Sequence, residues 1–392
     1  MKFSKWFNRH ISGWFSSILF FVLLAVMLPT TAMQAQTPDL TGTPISAGLP
    51  AAVMFTDQWF VSPSDSALVN RDILTGPWTQ MTASAAWEGR NGHSSVVMPD
   101  GSIVLMGGFT WTPTYGNRLL NDVWRSDNGG KQWTQITPGA AWSERSGQSS
   151  VVMPDGNIVL MGGFDNGYRN DVWVSDDGGA SWAQLPDAAW SGRTNHTSLV
   201  LQNEHILLMG GGDIGSYKND VWVSDDGGKS WTQLDDAPWS ARLGHTSVVL
   251  PNGHILLMGG IDDSGYCQND VWRSEDEGST WTQVPINGTW WTPRRLHTSV
   301  LLLDGRIVLM GGMGGWDAEN DVWVSDDEGQ TWSQVTATAA WSKRMGHTSL
   351  VLRDGSIVLM GGVYGADRMN DVWRLGMADE DKLFFFLPLI LK

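Results

Sequence analysis

The chain has one cysteine, five tyrosines and few basic residues: 25 Lys and Arg stand against 41 Asp and Glu in 392 residues. A single cysteine, Cys267, excludes an internal disulfide and any multi-cysteine metal site. The formal net charge of −16 describes a surface that repels phosphate backbones, which argues against nucleic acid as a partner. Removing residues 1–35, which carry Lys2, Lys5 and Arg9 and no acid, leaves the rest more acidic still. Charged residues are only 17% and apolar residues 42%, a balance that can fill a core and speaks against bulk disorder. No repeated segment spaces its apolar residues at 3.6, so helical solenoids are disfavoured. The excess is in tryptophan, 24 against 12 Phe. No ordinary core needs two Trp for every Phe, so some rule places them.

The ends differ from the body. Residues 1–10 are basic, 18–28 (ILFFVLLAVML) are continuously apolar, and Ala32 and Ala35 are suitable last residues before a cut. This pattern predicts a secretory signal over 1–35 and an exported protein. The alternative is a retained anchor, with the apolar stretch extended back to Ile11 and weakened by Ser12, Gly13, Ser16 and Ser17. A membrane is met only through this segment. The tail, 377–392, ends in an apolar run (LFFFLPLILK) too short to span a bilayer. It reads as a sorting or attachment tail, or as a strand packed on the domain.

Between the ends the chain repeats. Asn-Asp-Val-Trp begins at 121, 170, 219, 269, 320 and 370, at intervals of 49, 49, 50, 51 and 50 residues. Met-Gly-Gly precedes each, from Met106, Met161, Met209, Met258, Met310 and Met360, after a short apolar run. Trp-x-x-Arg-x-x-His opens each unit, as in Trp239, Arg242 and His245; the second unit has Gln148 in place of His. A unit reads as four strands. Strand A is of the type His-Thr-Ser-Val-Val-Leu. Asp-Gly or Asn-Gly then turns the chain, although the third unit has Asn203-Glu204. Strand B is apolar without alternation, as a strand buried on both faces should be. Strands C and D carry Trp nine residues apart, as Trp173 and Trp182.

Six such units predict an all-β, six-bladed β-propeller of four-stranded blades over 77–376. The sixth unit ends after Trp373 without a strand D, whereas Trp78-Thr79-Gln80 is a strand D without a unit. The N-terminal strand therefore closes the ring. Within segment 36–76, Trp59-Phe60-Val61-Ser62 reads as a decayed strand C. Eighteen Trp fall into three sixfold registers and Trp6 and Trp14 into the signal, which leaves Trp59, Trp111, Trp290 and Trp316.

Four C–D hairpins read Ser-x-Asp-x-Gly-x-Ser/Thr-Trp: Ser175 to Trp182, Ser224 to Trp231, Ser274 to Trp281 and Ser325 to Trp332. They resemble the Asp-box, or bacterial neuraminidase repeat, of sialidases and other propellers; Ser126 to Trp133 is a variant with Asn128 and Gln132. In that family the box is structural and lies opposite the active site. The apolar run ending in Gly-Gly, followed by two spaced aromatics, resembles the kelch repeat, including the galactose oxidase propeller. Kelch repeats usually place a Tyr and a Trp about seven apart; here two Trp stand nine apart around the box. Both resemblances imply a fold more than an activity.

B–C and D–A connections share one face of a propeller and carry its longer, more varied loops. The Trp-x-x-Arg-x-x-His ring is placed at the rim of that face. Its arginines either offer a carboxylate or sulfate site or pair with the Asp of Asn-Asp-Val-Trp, and sixfold repetition favours the second reading. Aromatics that break the repeat are the better ligand candidates: Trp111 and Tyr115 in the longest B–C loop (Phe109 to Leu120), Tyr168, Tyr217, Tyr266, Trp316 and Tyr364 in the others, and Trp290 with Arg295 before the fifth blade. Such a rim suits sugar rings or a protein ligand. The expectation is an exported, non-catalytic module binding a glycan or an extracellular protein, with no metal or other cofactor. The alternative is an exo-alpha-sialidase-like glycoside hydrolase using Glu88, Glu144 or Glu319. The family's Arg-Ile-Pro motif is missing, however, and Cys267 beside Tyr266 does not make a copper-oxidase site.

Overall fold

Each apolar run assigned to strand B is the second strand of an antiparallel four-stranded sheet, and six such sheets form the six-bladed propeller. The structure, a computed structural model, describes residues 73–112, 114 and 116–376, and the backbone of 54–55 and 58–59. The signal-like segment, most of 36–76, Tyr115 and the tail 377–392 lie outside the described residues. In blade 1, strands A to D are Ser94–Val97, Ile103–Thr112, Gly116–Ser126 and Thr134–Thr137. Blades 2 to 5 repeat this order, and the six innermost strands touch in a closed cycle. Blade 6 has Thr348–Val351, Ile357–Met360 and Val372–Leu375, and its outermost strand is Trp78–Thr82, with Trp78 opposite Leu375 and Gln80 opposite Trp373. The N-terminal strand thus closes the ring. Trp59 joins no blade: Gln58–Trp59 pairs with Met54–Phe55, so the decayed strand C is instead half of a separate hairpin, and residues 60–62 lie outside the described residues.

Strand B explains the missing alternation. Its residues, as in Ile103–Met106 or Ile307–Met310, are fully buried because both faces of a blade are covered by neighbours. Met-Gly-Gly then makes a bulge, seen as a register shift between Met106 and Gly108. Both glycines are left-handed (Gly162 φ 58°, Gly163 φ 102°), and a Cβ on Gly162 would stand 3.0 Å from His196 Cε1 of the next blade. The bulge lets the next blade approach. The third unit, with no glycine in its A–B turn, puts Glu204 itself into the left-handed region (φ 67°).

The excess of tryptophan is an interblade device. Trp87, Trp142, Trp190, Trp239, Trp291 and Trp341 are at most 1% exposed, each wedged between two blades. Each meets the strand D Trp of its own unit edge-on, as Trp190 meets Trp231 at 5.9 Å and 83°. Trp341 uses Trp78, so the closing strand enters the same pairing. Such edge-to-face pairs add about 0.5–1.5 kcal/mol each beyond the area they bury.

The third Trp register caps an ion pair. Arg193 presents Nη1 and Nη2 to the two carboxylate oxygens of Asp220 at 2.6 and 2.7 Å, and Trp222 Nε1 donates to the same carboxylate at 2.8 Å. Arg193 also donates to the Ser191 and Gly210 carbonyls. The same clasp joins Arg90 to Asp122, Arg145 to Asp171, Arg242 to Asp270, Arg294 to Asp321 and Arg344 to Asp371. The backbone of each Arg is hydrogen-bonded to the preceding blade, Arg193 to Arg169 and Arg90 to Met369, while its guanidinium serves its own blade. Asn of the same motif bonds to the opening of the next unit, as Asn121 does to Ala140 and Trp142. These arginines are therefore not at the rim: they are buried latches between blades, which corrects their expected placement.

Two outcomes follow from closure and latching. Deleting residues 1–83 removes the fourth strand of blade 6 and the Trp78 partner of Trp341, and is expected to abolish the cooperative melting transition seen by near-ultraviolet circular dichroism. Asp220→Ala leaves the Arg193 guanidinium buried without a counter-charge and is expected to cost about 3–5 kcal/mol in urea unfolding.

Candidate functional site

The B–C connections are not open loops. In blade 1 strands B and C continue as a ladder to Thr112 opposite Gly116, so the longest connection is a projecting hairpin with Trp111 opposite Asn117. Blades 2 and 4 extend likewise to Phe164–Tyr168 and Ile261–Cys267, and blades 3, 5 and 6 carry separate short hairpins. The face is a crown of six hairpin tips on a latched ring. Arg118 of the first hairpin pairs with Glu88, and Arg368 of the last lies over the Phe109 ring at 4.8 Å.

The candidate aromatics divide in two. Trp316 (99% exposed), Tyr266 (72%), Trp111 and Tyr364 project into solvent. Tyr168 is half-buried, edge-on to Phe164 at 5.2 Å, and Trp290 lies on Trp291 at 6.3 Å. Tyr217 is half-buried too; burial raises its hydroxyl pKa, Arg295 opposes this, and Asp262 and Asp263 reinforce it. Arg295 is half-buried against Met313. Cys267 turns inward toward the Met313 carbonyl while Tyr266 faces solvent, so the adjacent pair does not converge. Two exposed side chains were not among the candidates: Ile214 in the third B–C hairpin and Ile286 before the fifth blade. Each is an apolar residue among turn formers, Asp213-Ile214-Gly215 and Pro285-Ile286-Asn287-Gly288, and that was their signal in the sequence.

These six exposed large apolar side chains, Trp111, Ile214, Tyr266, Ile286, Trp316 and Tyr364, are all on the B–C/D–A face. Around Tyr266 and Trp316 stand Asp262, Asp263, Asp317 and Glu319, with Lys343 bound to Asp317 at 2.6 Å. Burial and the nearby Asp321 hold the Glu319 carboxyl above its ordinary pKa.

The centre of the face is closed by peptide groups. Gly147 N donates to Gly92 O, Asn195 to Gly147, Gly244 to Asn195, Leu296 to Gly244, Gly346 to Leu296 and Gly92 to Gly346, all at 2.8–2.9 Å. Each residue of this annulus is left-handed. Beneath it runs a polar channel of about 210 Å3, lined by His93, His196 and His347, by Gln148 and by the Ser/Thr residues of the inner strands. His Nε2 meets the hydroxyl of the preceding blade, as His196 meets Ser149 at 2.8 Å. In blade 2 Gln148 turns to the Met106 carbonyl instead, and the Ser94 hydroxyl has no partner among the described residues. The next ring, Ser95, Ser150, Ser198, Ser247, Ser299 and Ser349, also has hydroxyls without partners among the described residues. Burial, with the adjacent arginines, holds His93, His196 and His245 down at about 3, and His297 and His347 well below 6.5. They are neutral structural groups. Among the described residues no group of three His, Cys, Asp or Glu side chains is placed to hold a metal.

Repeated four-stranded blades, Gly-Gly bulges and paired aromatics define a propeller of the kelch type. The family described as the KLHDC2/KLHL20/DRC7 Kelch-repeats domain matches residues 60–237 and 195–381, and the chain belongs to the kelch-repeat family. No curated protein matches it. Kelch propellers typically bind proteins and act as scaffolds, and the family is generally non-catalytic.

The histidines give a pH prediction. Each is neutral in the fold and takes a proton near pH 6.5 when unfolded, so the unfolded state binds more protons below pH 6.5, down to about pH 3 for His93, His196 and His245, and stability falls on acidification. Each contributes a slope of up to about 1.4 kcal/mol per pH unit in that window. His196→Gln, which copies the natural Gln148, is expected to flatten the dependence in urea melts at pH 4.5–7.5.

Proposed function

We propose that this protein is an exported, non-catalytic binding module that holds a protein ligand of the cell exterior on its B–C/D–A face. The observation that carries this reading is the one-sidedness of the exposed large apolar side chains among the described residues, all six of which crown that face. Monomeric surfaces seldom gather such groups without use, and aromatic anchors ringed by charge suit an interface centre. Trp111 and Trp316 break the repeat and support no blade. Export rests on the signal-like segment 1–35.

A glycan is the second reading. The Trp316 ring is 99% exposed, a flat apolar platform of the kind on which a sugar ring stacks. The Asp-box reading of the C–D hairpins has support in their bonding: Ser175 Oγ donates to Asp177, and Asp177 accepts from Ser181 N and Oγ. It places these hairpins in structural roles on the far face. The sialidase-like alternative needs free arginines, whereas all six of the repeated ones are clasped by aspartates and Glu88 is tied to Arg118.

Trp111→Ala combined with Trp316→Ala is expected to lower capture at least tenfold on arrays of envelope proteins and of glycans, with an unchanged melting temperature. The spots that lose signal tell a protein ligand from a glycan. Unaltered capture by the double variant would remove the support for this face.

A further inference from the structure

The A–B/C–D face carries a second feature, independent of the crown. At the outer end of five interblade seams on that face, the C–D hairpin of one blade curls over the preceding blade, and at the sixth, between blades 5 and 6, the segment ahead of the closing strand takes its place; most of these seams are filled by a side chain. In blade 1 it is Arg125, which follows the Asn-Asp-Val-Trp motif. Its guanidinium is bound by Asp100 of the A–B turn at 2.5 Å and by Asp127 of the hairpin at 2.7 Å. It lies under the blade 2 hairpin, where a Cβ on Gly178 would stand 3.4 Å from Nη1. Arg374 of blade 6 does the same with Asp354, beneath Gly129 of blade 1. Between blades 4 and 5, Arg273 and Glu328 occupy the seam. Between blades 3 and 4, Glu277 reaches Asn203 at 2.8 Å. Between blades 5 and 6, Ile73 and Leu74 join the cluster that holds Val324.

The seam between blades 2 and 3 has none of these. Val174 stands where Arg125 and Arg374 stand, and a Cβ on Gly227 above it would meet nothing within 4 Å. A cavity of about 380 Å3 opens there. Both carboxylates of the arginine site are nevertheless kept: Asp155 is the counterpart of Asp100, Asp176 is the counterpart of Asp127, and both line the cavity. Asp176 makes no hydrogen bond or ion pair among the described residues, and Asp155 receives only the backbone N–H and side-chain amide of Asn157. Met153, Leu185 and Trp182 supply an apolar wall. Asp226 is also in the lining, with its oxygens taken by Ser224, Lys229 N and Ser230. Lys229 is the one cation in the lining.

We propose that this seam is a receptor for an arginine side chain presented by a partner protein, with the guanidinium bridging Asp155 and Asp176 and the aliphatic stem on the wall formed by Val174 and Leu185. The recognition chemistry is what the protein already uses within blade 1. A planar fork spans two carboxylates, which an ammonium point charge does not.

The test is ligand-observed NMR titration of the full chain with the capped peptide acetyl-Gly-Arg-Gly-amide, beside its lysine and norleucine analogues. The arginine peptide is expected to bind, the lysine peptide at least fivefold more weakly, and the norleucine peptide not at all. Val174→Arg fills the seam from within, as in blades 1 and 6, and is expected to abolish binding with the melting temperature kept or raised. Asp176→Asn is expected to weaken binding at least tenfold, and it reads the same site should Val174→Arg fold poorly. Absent binding of the arginine peptide, equal binding of all three peptides, or undiminished binding by Asp176→Asn overturns the proposal. Trp111→Ala with Trp316→Ala leaves peptide binding unchanged if the two faces act separately; its loss in that variant overturns the placement at this seam.

Discussion

Six buried arginine–aspartate clasps decide how this molecule is assembled. A charge pair taken out of water is stabilising only when its geometry and its remaining bonds are nearly complete. Here they are: Arg193 spends its donors on Asp220 and on the Ser191 and Gly210 carbonyls, and Asp220 accepts from Trp222 as well. Burial pushes the Asp220 carboxyl up, but these bonds outweigh it and hold it below its ordinary pKa. Since the arginine backbone belongs to one blade's edge and its guanidinium to the next, the clasp forms only when both blades are in register. The Gly-Gly bulge, the Trp wedge and the Asn bridge are best understood as the geometry that this clasp requires.

The peptide annulus adds a second constraint of the same type. Six residues donate and accept in one direction around the axis, so all of them are satisfied together only when all six blades are present. Five blades or seven would change the curvature on which those 2.8–2.9 Å bonds depend. The positions tolerate more than glycine, since Asn195 and Leu296 hold φ near 53°, and Leu296 accepts the strain of a left-handed backbone to complete the circle.

Much of this was legible in the sequence because repetition turns one local pattern into six independent readings. Blade count, strand order and the closing strand followed from spacing alone. The position of Trp-x-x-Arg-x-x-His did not: a period of about fifty residues gives register but not depth, and only packing shows that Arg90 and Trp87 lie inside. The aromatics of the face were found where they break the repeat, but that rule did not separate Trp316, which stands clear, from Tyr168, which lies on Phe164. Ile214 and Ile286 escaped because the rule followed aromatics alone, although both are apolar residues set among turn formers. The vacant seam at Val174 was not legible, because the aligned column holds Arg125, Arg273 and Arg374 but Val174, Val223 and Val324, and the column acquires meaning only once Arg125 is seen between Asp100 and Asp127.

The closing strand has a consequence for synthesis. Trp78–Thr82 is among the first blade segments made, and its partner Val372–Leu375 is the last. At about 5–20 residues per second, some tens of seconds separate the two. Through that interval the first strand and the free edge of every nascent blade present unpaired backbone to one another and to other chains. Closure of the ring therefore waits for the last blade strand and has an all-or-none finish, and its yield depends on how well the early strand is kept from the wrong partners until the late one arrives.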